Sequence, residues 1–195
     1  MMYQPFDIGK TFRIIPIGEE LVADNRLPLV MKRGAFGSGE HETTQSCLEI
    51  LESIPDIVGS RVLDFGCGTG ILAIAATKLG ANRAVCLDID HQAALNAREN
   101  CRLNETGNVM CIAGTISCLR EQPFDLILAN IYGDILLSVA KTLSGMARSG
   151  TYTVLSGILW EDNFLVRQEY EKYGFRVKKN CFMDEYSSLL LQKII

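Results

Sequence analysis

From Arg61 onward, short apolar runs alternate with longer stretches whose apolar positions recur at helical spacing. The runs RVLDF (61–65), AVCLD (84–88), VMCIA (109–113), LILAN (126–130) and TYTVLS (151–156) have the length and near-continuous apolarity of strands covered on both faces. ILAIAATKLG (71–80), HQAALNARENCRLN (91–104) and DILLSVAKTLSGMA (134–147) read as helices between them, and NFLVRQEYEKYG (163–174) follows as another. Gly80 and Gly174 stand where helices stop, and Asp90 stands where one starts. FRVKKNCF (175–182) and YSSLLLQKI (186–194) are the last two strands, separated only by MDE. That link is too short for a parallel crossover, so one of the pair must run antiparallel. The pattern predicts an α/β fold: a doubly wound, Rossmann-like, seven-stranded, mostly parallel sheet with an antiparallel strand at the C-terminal end.

The first 60 residues are patterned differently. FRIIPI (12–17) is an extended stretch, and an amphipathic helix is expected from Thr43 to Ile54. No repeat, low-complexity tract or long linker divides the chain. One unit over 1–195 is therefore expected, with 1–60 as lead-in and lid and 61–195 as the core. At 195 residues and 48% hydrophobic it can bury a core without staples. A net charge of -4, with Lys178 and Lys179 the nearest thing to a basic cluster, argues against direct nucleic-acid binding by bulk electrostatics. The seven cysteines form no CxxC pair, and Cys86 and Cys101 fall where cysteine acts as a small hydrophobe. The opening MMYQPFDIGK has no apolar signal core, and no run approaches membrane-spanning length. These features predict a reduced, cytoplasmic protein with no metal site.

VLDFGCGTG (62–70) falls at the carboxyl end of the first core strand, where such sheets bind ligands. Gly66, Gly68 and Gly70 allow a sharp turn and close backbone approach. A dinucleotide fingerprint, GxGxxG, would need glycine at position 71, which is Ile71. The shorter GxGxG spacing marks an S-adenosylmethionine site, whose ligand carries a sulfonium and an amino-acid end and needs no phosphate cradle. Asp88, with Ile89 beside it, ends the next strand, placed for its two carboxylate oxygens to accept both ribose hydroxyls. Asp64 precedes the turn and is expected to hold backbone donors there. Asn130 ends LILAN at the same edge, where its side-chain carbonyl can accept a hydrogen bond from a target amine and aim the nitrogen at the methyl group.

GAFGSGEHETTQSCLEIL (34–51) is richer than a helix start requires, since Thr43 or Thr44 alone would cap it. Gly37 and Gly39 suit a loop that folds over the methionine end of the cofactor, with Phe36 beside it and the Ser38 and Thr44 hydroxyls offered to the ligand. His41 has two readings, a general base for a lysine ammonium or a side chain that shapes the loop by a hydrogen bond. Leu48 and Leu51 are expected to anchor the lid helix. Tyr132, Trp160 and Tyr186 read either as an aromatic channel for a lysine or as rim packing.

The order AFGSGEHETT, VLDFGCGTGILAIAATKLGA, LDID, LILANIY and SGIL resembles the PrmA family of bacterial ribosomal-protein methyltransferases, from about Phe6 to the C-terminus. The resemblance implies the class I methyltransferase fold, S-adenosylmethionine as cofactor, and methylation of protein amino groups, lysines above all. It places cofactor contacts on Thr44, Gly66, Asp88 and Asn130. A protein partner is implied, a large-subunit ribosomal protein in the family's own case. The sequence departs from the family at three points. An N-terminal substrate-docking domain is expected to be absent, Ser38 replaces a threonine, and Tyr186 stands where the family has tryptophan. Single-domain relatives methylate lysines of other proteins. Another protein lysine, a small-molecule amine, and a non-catalytic cofactor-binding module are the other readings.

Overall fold

The computed structural model describes residues 4–20, 24–32, 38–119 and 122–195. Strands β4 (Arg61–Phe65), β5 (Arg83–Asp88), β6 (Val109–Ala113), β7 (Phe124–Asn130), β8 (Ala147–Leu159), β9 (Phe175–Phe182) and β10 (Tyr186–Lys193) make one sheet. Their order is β6-β5-β4-β7-β8-β10-β9. All neighbours pair in parallel except β10, which is antiparallel to both β8 and β9. The expected seven-stranded, mostly parallel sheet is thus present, with β10 as its reversed strand.

Five helices cover the sheet: α1 (Glu42–Leu51), α2 (Ile71–Lys78), α3 (His91–Leu103), α4 (Gly133–Gly145) and α5 (Trp160–Lys172). On one face Leu48, Leu51, Ile74 and Ala97 pack with Val62, Leu126 and Leu128. On the other Leu136, Ala140, Val166 and Tyr170 pack with Leu63, Ile127 and Leu155. Alternate residues of β4 and β7 therefore enter opposite cores, which is why these strands read as continuously apolar. Asp90 caps α3 as expected, its carboxylate accepting from Gln92 N at 2.8 Å.

The lead-in holds more structure than its sequence suggested. Strands β1 (Phe6–Ile8), β2 (Phe12–Pro16) and β3 (Leu27–Met31) form a second sheet. Phe12, Ile14, Leu29 and Met31 are buried in the same core as α1 and α2. Polar ties fix the arrangement. Asn104 bonds both the N–H and the C=O of Val30, Asn100 accepts from Lys32 N at 3.0 Å, and Lys32 pairs with Glu99. Strands of three to five residues, β3 carrying Pro28 at its second position, are too short to give a periodicity that can be read.

Several element ends differ from expectation, each for a local reason. Helix α1 runs from Glu42 to Leu51 rather than Thr43 to Ile54. Its cap is His41, not Thr43 or Thr44, and Nδ1 accepts from Thr43 N at 3.3 Å. It stops at Leu51, after which the Glu52 carboxylate turns to the backbone N–H groups of Lys10 and Thr11. Strand β8 extends to Leu159 because it pairs with β7 and β10 at once. Helix α5 begins at Trp160, with Glu161 and Asp162 placing negative charge in its first turn.

Candidate active site

Strands β4 and β7 are neighbours at the point where strand order reverses, the crevice where open α/β sheets bind ligands. The glycine turn leaves β4 and is pinned to β5 by Gly66 N and Cys67 N, which donate to Leu87 O at 2.8 and 3.2 Å. Gly66, Gly68 and Gly70 have φ of +71°, +53° and +76°, a region that L side chains avoid. A Cβ on Gly66 would meet Ile131 Cγ2 at 2.4 Å, whereas one on Gly68 would meet nothing within 4 Å. Gly68 is thus the open side of the cradle.

Asp88 links the turn to β5 in a way that leaves capacity for a ligand. Its Oδ2 accepts from Gly68 N at 2.8 Å and its Oδ1 from Asp90 N at 3.0 Å. An ionised carboxylate offers about four acceptor positions, so each oxygen keeps one. Two hydroxyls, one to each oxygen, would complete the set. Ile89 follows at the rim and is 81% exposed.

Asp64 is fully buried, and its Oδ2 accepts from Ala73 N at 3.0 Å in the first turn of α2. The expected structural role is met, since the carboxyl takes a donor that the uncapped helix start would leave open. Burial pushes its pKa up to about 8, against the lowering effect of the Ala73 hydrogen bond, and the Asp88 charge adds to the rise. The folded protein therefore holds a proton here that the unfolded chain releases near pH 4. Stability from this group is complete below that pH and is lost as pH rises toward 8. Asp64→Asn keeps an acceptor for Ala73 and should remove that slope. Denaturant midpoints at pH 5 and pH 8 would test this, because the variant should gain on the parent only at the higher pH.

Asn130 ends β7 opposite the cradle, and its Nδ2 donates to Thr44 Oγ1 at 3.3 Å. That bond orients the amide and leaves Oδ1 without a protein partner among the described residues. Thr44 is buried in the first turn of α1, so this helix supplies the partner of the Asn130 amide. Besides capping α1, His41 has Nδ1 2.8 Å from Thr43 Oγ1, and its ring packs edge-on to Tyr186 at 5.5 Å. With Nδ1 committed, only Nε2 remains for proton transfer. Ser38 Oγ donates to Glu40 at 3.1 Å, and Gln45 Nε2 donates to the carbonyls of Gly39 and Glu40, tying the loop to α1. Phe36 and Gly37 lie outside the described residues.

Two supports escaped sequence reasoning. Ser156 at the end of β8 bonds Ser188 at 2.6 Å and Thr43 O at 3.4 Å, which locks the start of α1 to two strands. Gly157 has φ +77°, and a Cβ there would come within 2.7 Å of the Ile131 carbonyl. The chain leaving Asn130 therefore passes directly over Gly157, and SGIL was its only signal. Gly157→Ala should cost at least about 1–3 kcal/mol from backbone strain, seen as an earlier urea midpoint, because a backbone carbonyl cannot swing aside like a side chain tip.

Among the described residues no group of three or more His, Cys, Asp and Glu side chains is placed to hold a metal ion, and no helix is long and apolar enough to cross a membrane. Cys47 lies on the buried face of α1, and desolvation pushes its thiol up to about 12, so it is inert packing.

A glycine cradle, a carboxylate on the next strand and an asparagine at the switch point, on this strand order, define the class I methyltransferase fold. The chain belongs to the ribosomal protein L11 methyltransferase (PrmA) family, whose model matches residues 1–194. It is 44% identical to the ribosomal protein L11 methyltransferase of Pelobacter propionicus over 98% of this chain, and 40% identical to that of Pseudomonas paraeruginosa over 88%. It spans 64% and 58% of those relatives' lengths. A crystal structure of ribosomal protein L11 methylase from Lactobacillus delbrueckii subsp. bulgaricus superposes with a TM-score of 0.89 at 26% identity, covering 99% of this chain and 100% of that one. The cofactor of the family's site is S-adenosylmethionine. The Thermus thermophilus 16S rRNA N2 G1207 methyltransferase, solved with that cofactor and guanosine, shares the fold alone, with a TM-score of 0.64 at 20% identity, over 78% of this chain and 43% of that one.

Proposed function

We propose that this chain transfers methyl groups from S-adenosylmethionine to protein amino groups, with a lysine of a ribosomal protein of the L11 type as the favoured acceptor. The observation that carries the reading is Asn130, at the end of β7 beside the switch point, whose Nδ2 is held by Thr44 and whose carbonyl oxygen has no hydrogen-bond partner among the described residues. A carbonyl there accepts an N–H from an incoming amine and turns its lone pair toward the methyl group. When bound, the cofactor supplies an electrophilic methyl on a sulfonium. The residues present fit it: Gly68 leaves open space, Asp88 keeps two acceptor positions for ribose hydroxyls, and Asp64 stiffens the turn from below.

Methyl transfer needs a neutral amine, and desolvation lowers the pKa of a lysine that enters a closed site. His41 contributes by holding the lid in shape, and its Nε2 is the group available to take up the released proton. The sequence after Asn130, Ile131 and Tyr132, lacks the paired prolines on which flat bases and amides stack, which favours an aliphatic amine. The relatives' names point to a ribosomal protein, and other protein lysines and small amines remain the competing acceptors.

The test is incubation with methyl-labelled S-adenosylmethionine and a cell extract, with purified ribosomal protein L11 in parallel. Label is expected in protein, and in L11 foremost. Label confined to small molecules would overturn the protein reading, and no transfer at all would favour a cofactor-binding module.

A further inference from the structure

A line of contacts leaves the acceptor position and ends in a groove. His41, at the start of α1, packs on Tyr186 at 5.5 Å, and the Tyr186 carbonyl accepts from Trp160 Nε1 at 3.0 Å. Trp160 meets Phe182 edge-on at 6.1 Å. Phe182 then lines a groove of about 240 Å³ between the outer side of α1 (Glu42, Gln45, Glu49) and the end of β9 with Met183. Trp160 and Phe182 are 53% and 58% exposed, unusual for two aromatics in contact.

The charge along this line is one-sided. Glu42 and Glu49 line the groove with Lys179 as its one lining cation, and Glu40 before α1 and Asp184 and Glu185 in the turn before β10 add acidic residues next to it in sequence. Glu42 accepts from Asp184 N at 3.4 Å and Glu40 from Ser38, but none of the five carboxylates forms an ion pair among the described residues. Aromatic faces beside unpaired carboxylates suit a cation on a flexible aliphatic stem. The same charge repels phosphates, which disfavours RNA as the occupant.

We propose that this groove docks an extended, positively charged segment of the protein substrate, which runs past Phe182 and Trp160 and delivers one lysine over Tyr186 and His41 to Asn130. The proposal rests on the protein-amine reading above and adds a place where the catalytic unit itself grips its substrate. Its recognition is electrostatic and aromatic, so it should be sensitive to salt and tolerant of exact sequence.

Trp160 is the only tryptophan and touches the groove residue Phe182, so its emission reports occupancy beside Phe182 and needs no turnover. Titration with an oligolysine peptide should shift that emission saturably, with weaker binding at high salt, while an oligoglutamate peptide of equal length should leave it unchanged. The double variant Glu42→Gln, Glu49→Gln should weaken oligolysine binding by roughly fivefold, and Phe182→Ala should weaken it independently, both with unchanged affinity for S-adenosylmethionine. An emission that ignores oligolysine, or a double variant that binds as tightly as the parent, would overturn the docking surface. The two readings fail separately. Lysine methylation with an unaltered KM in the double variant defeats the groove alone. A Trp160 response without any labelled protein supports the groove and defeats the transfer.

Discussion

Asp88→Ala is expected to lower affinity for S-adenosylmethionine by about a hundredfold or more, while the protein still folds. Each hydrogen bond to a charged acceptor contributes about 1.5–3 kcal/mol, and 1.4 kcal/mol is about tenfold in affinity. Two such bonds to ribose hydroxyls would be lost together. The same carboxylate also accepts from Gly68 N and Asp90 N, so the cradle loosens at its open side as well. Asp88→Asn retains one acceptor oxygen and should fall between parent and alanine variant. Calorimetry with the cofactor separates the cases, and an alanine variant that binds like the parent would remove Asp88 from the site.

Asn130→Ala should divide the two functions the other way. Its Nδ2 serves Thr44 and its Oδ1 is the proposed partner of the incoming amine, so the loss falls on positioning of the acceptor rather than on the cofactor. Misplacement by about 1 Å costs about a hundredfold in rate, and a loss of that size or greater is expected in kcat, with cofactor affinity kept within a few-fold. Thr44→Val leaves Asn130 in place but removes the partner that orients it, and should cause a smaller loss in kcat. Turnover of the alanine variant at the parent rate would show that the carbonyl has no part in transfer.

The large features of the fold were legible because each has a periodic or stereochemical signature. The strands from Arg61 to Asn130 are apolar throughout since both faces are covered, and the three-residue link MDE required one of the last two strands to be reversed, which the pairing identifies as β10. The glycine turn, Asp88 and Asn130 were readable because a ligand crevice at the switch point demands small residues and polar strand ends. What escaped was held by long-range polar contacts. The lead-in sheet depends on Asn100 and Asn104, more than sixty residues away in sequence, and nothing local announces that pairing. His41 as the cap of α1 was missed because two threonines follow it and are better cappers by composition, yet they are drawn inward, with Thr44 reaching Asn130. Gly157 was invisible until the path of Ile131 was known.

The acidic groove changes how the family relationship bears on this chain. The chain spans 58% and 64% of the lengths of the Pseudomonas and Pelobacter relatives, so their substrate does not transfer with the family name. A surface that selects cationic segments would let the catalytic unit find lysine-rich proteins by its own contacts, and the Trp160 emission measurement reads that directly.

The central claim is that Asn130 and the cradle direct a methyl group onto a protein amine. Tandem mass spectrometry of ribosomal protein L11, after incubation with the chain and methyl-labelled S-adenosylmethionine, tests it most directly. Labelled methyl groups are expected on lysine side-chain nitrogens, and are expected to be absent when Asn130→Ala replaces the parent. Label on oxygen, sulfur or a ring carbon, or label that persists at full level in the variant, would contradict it.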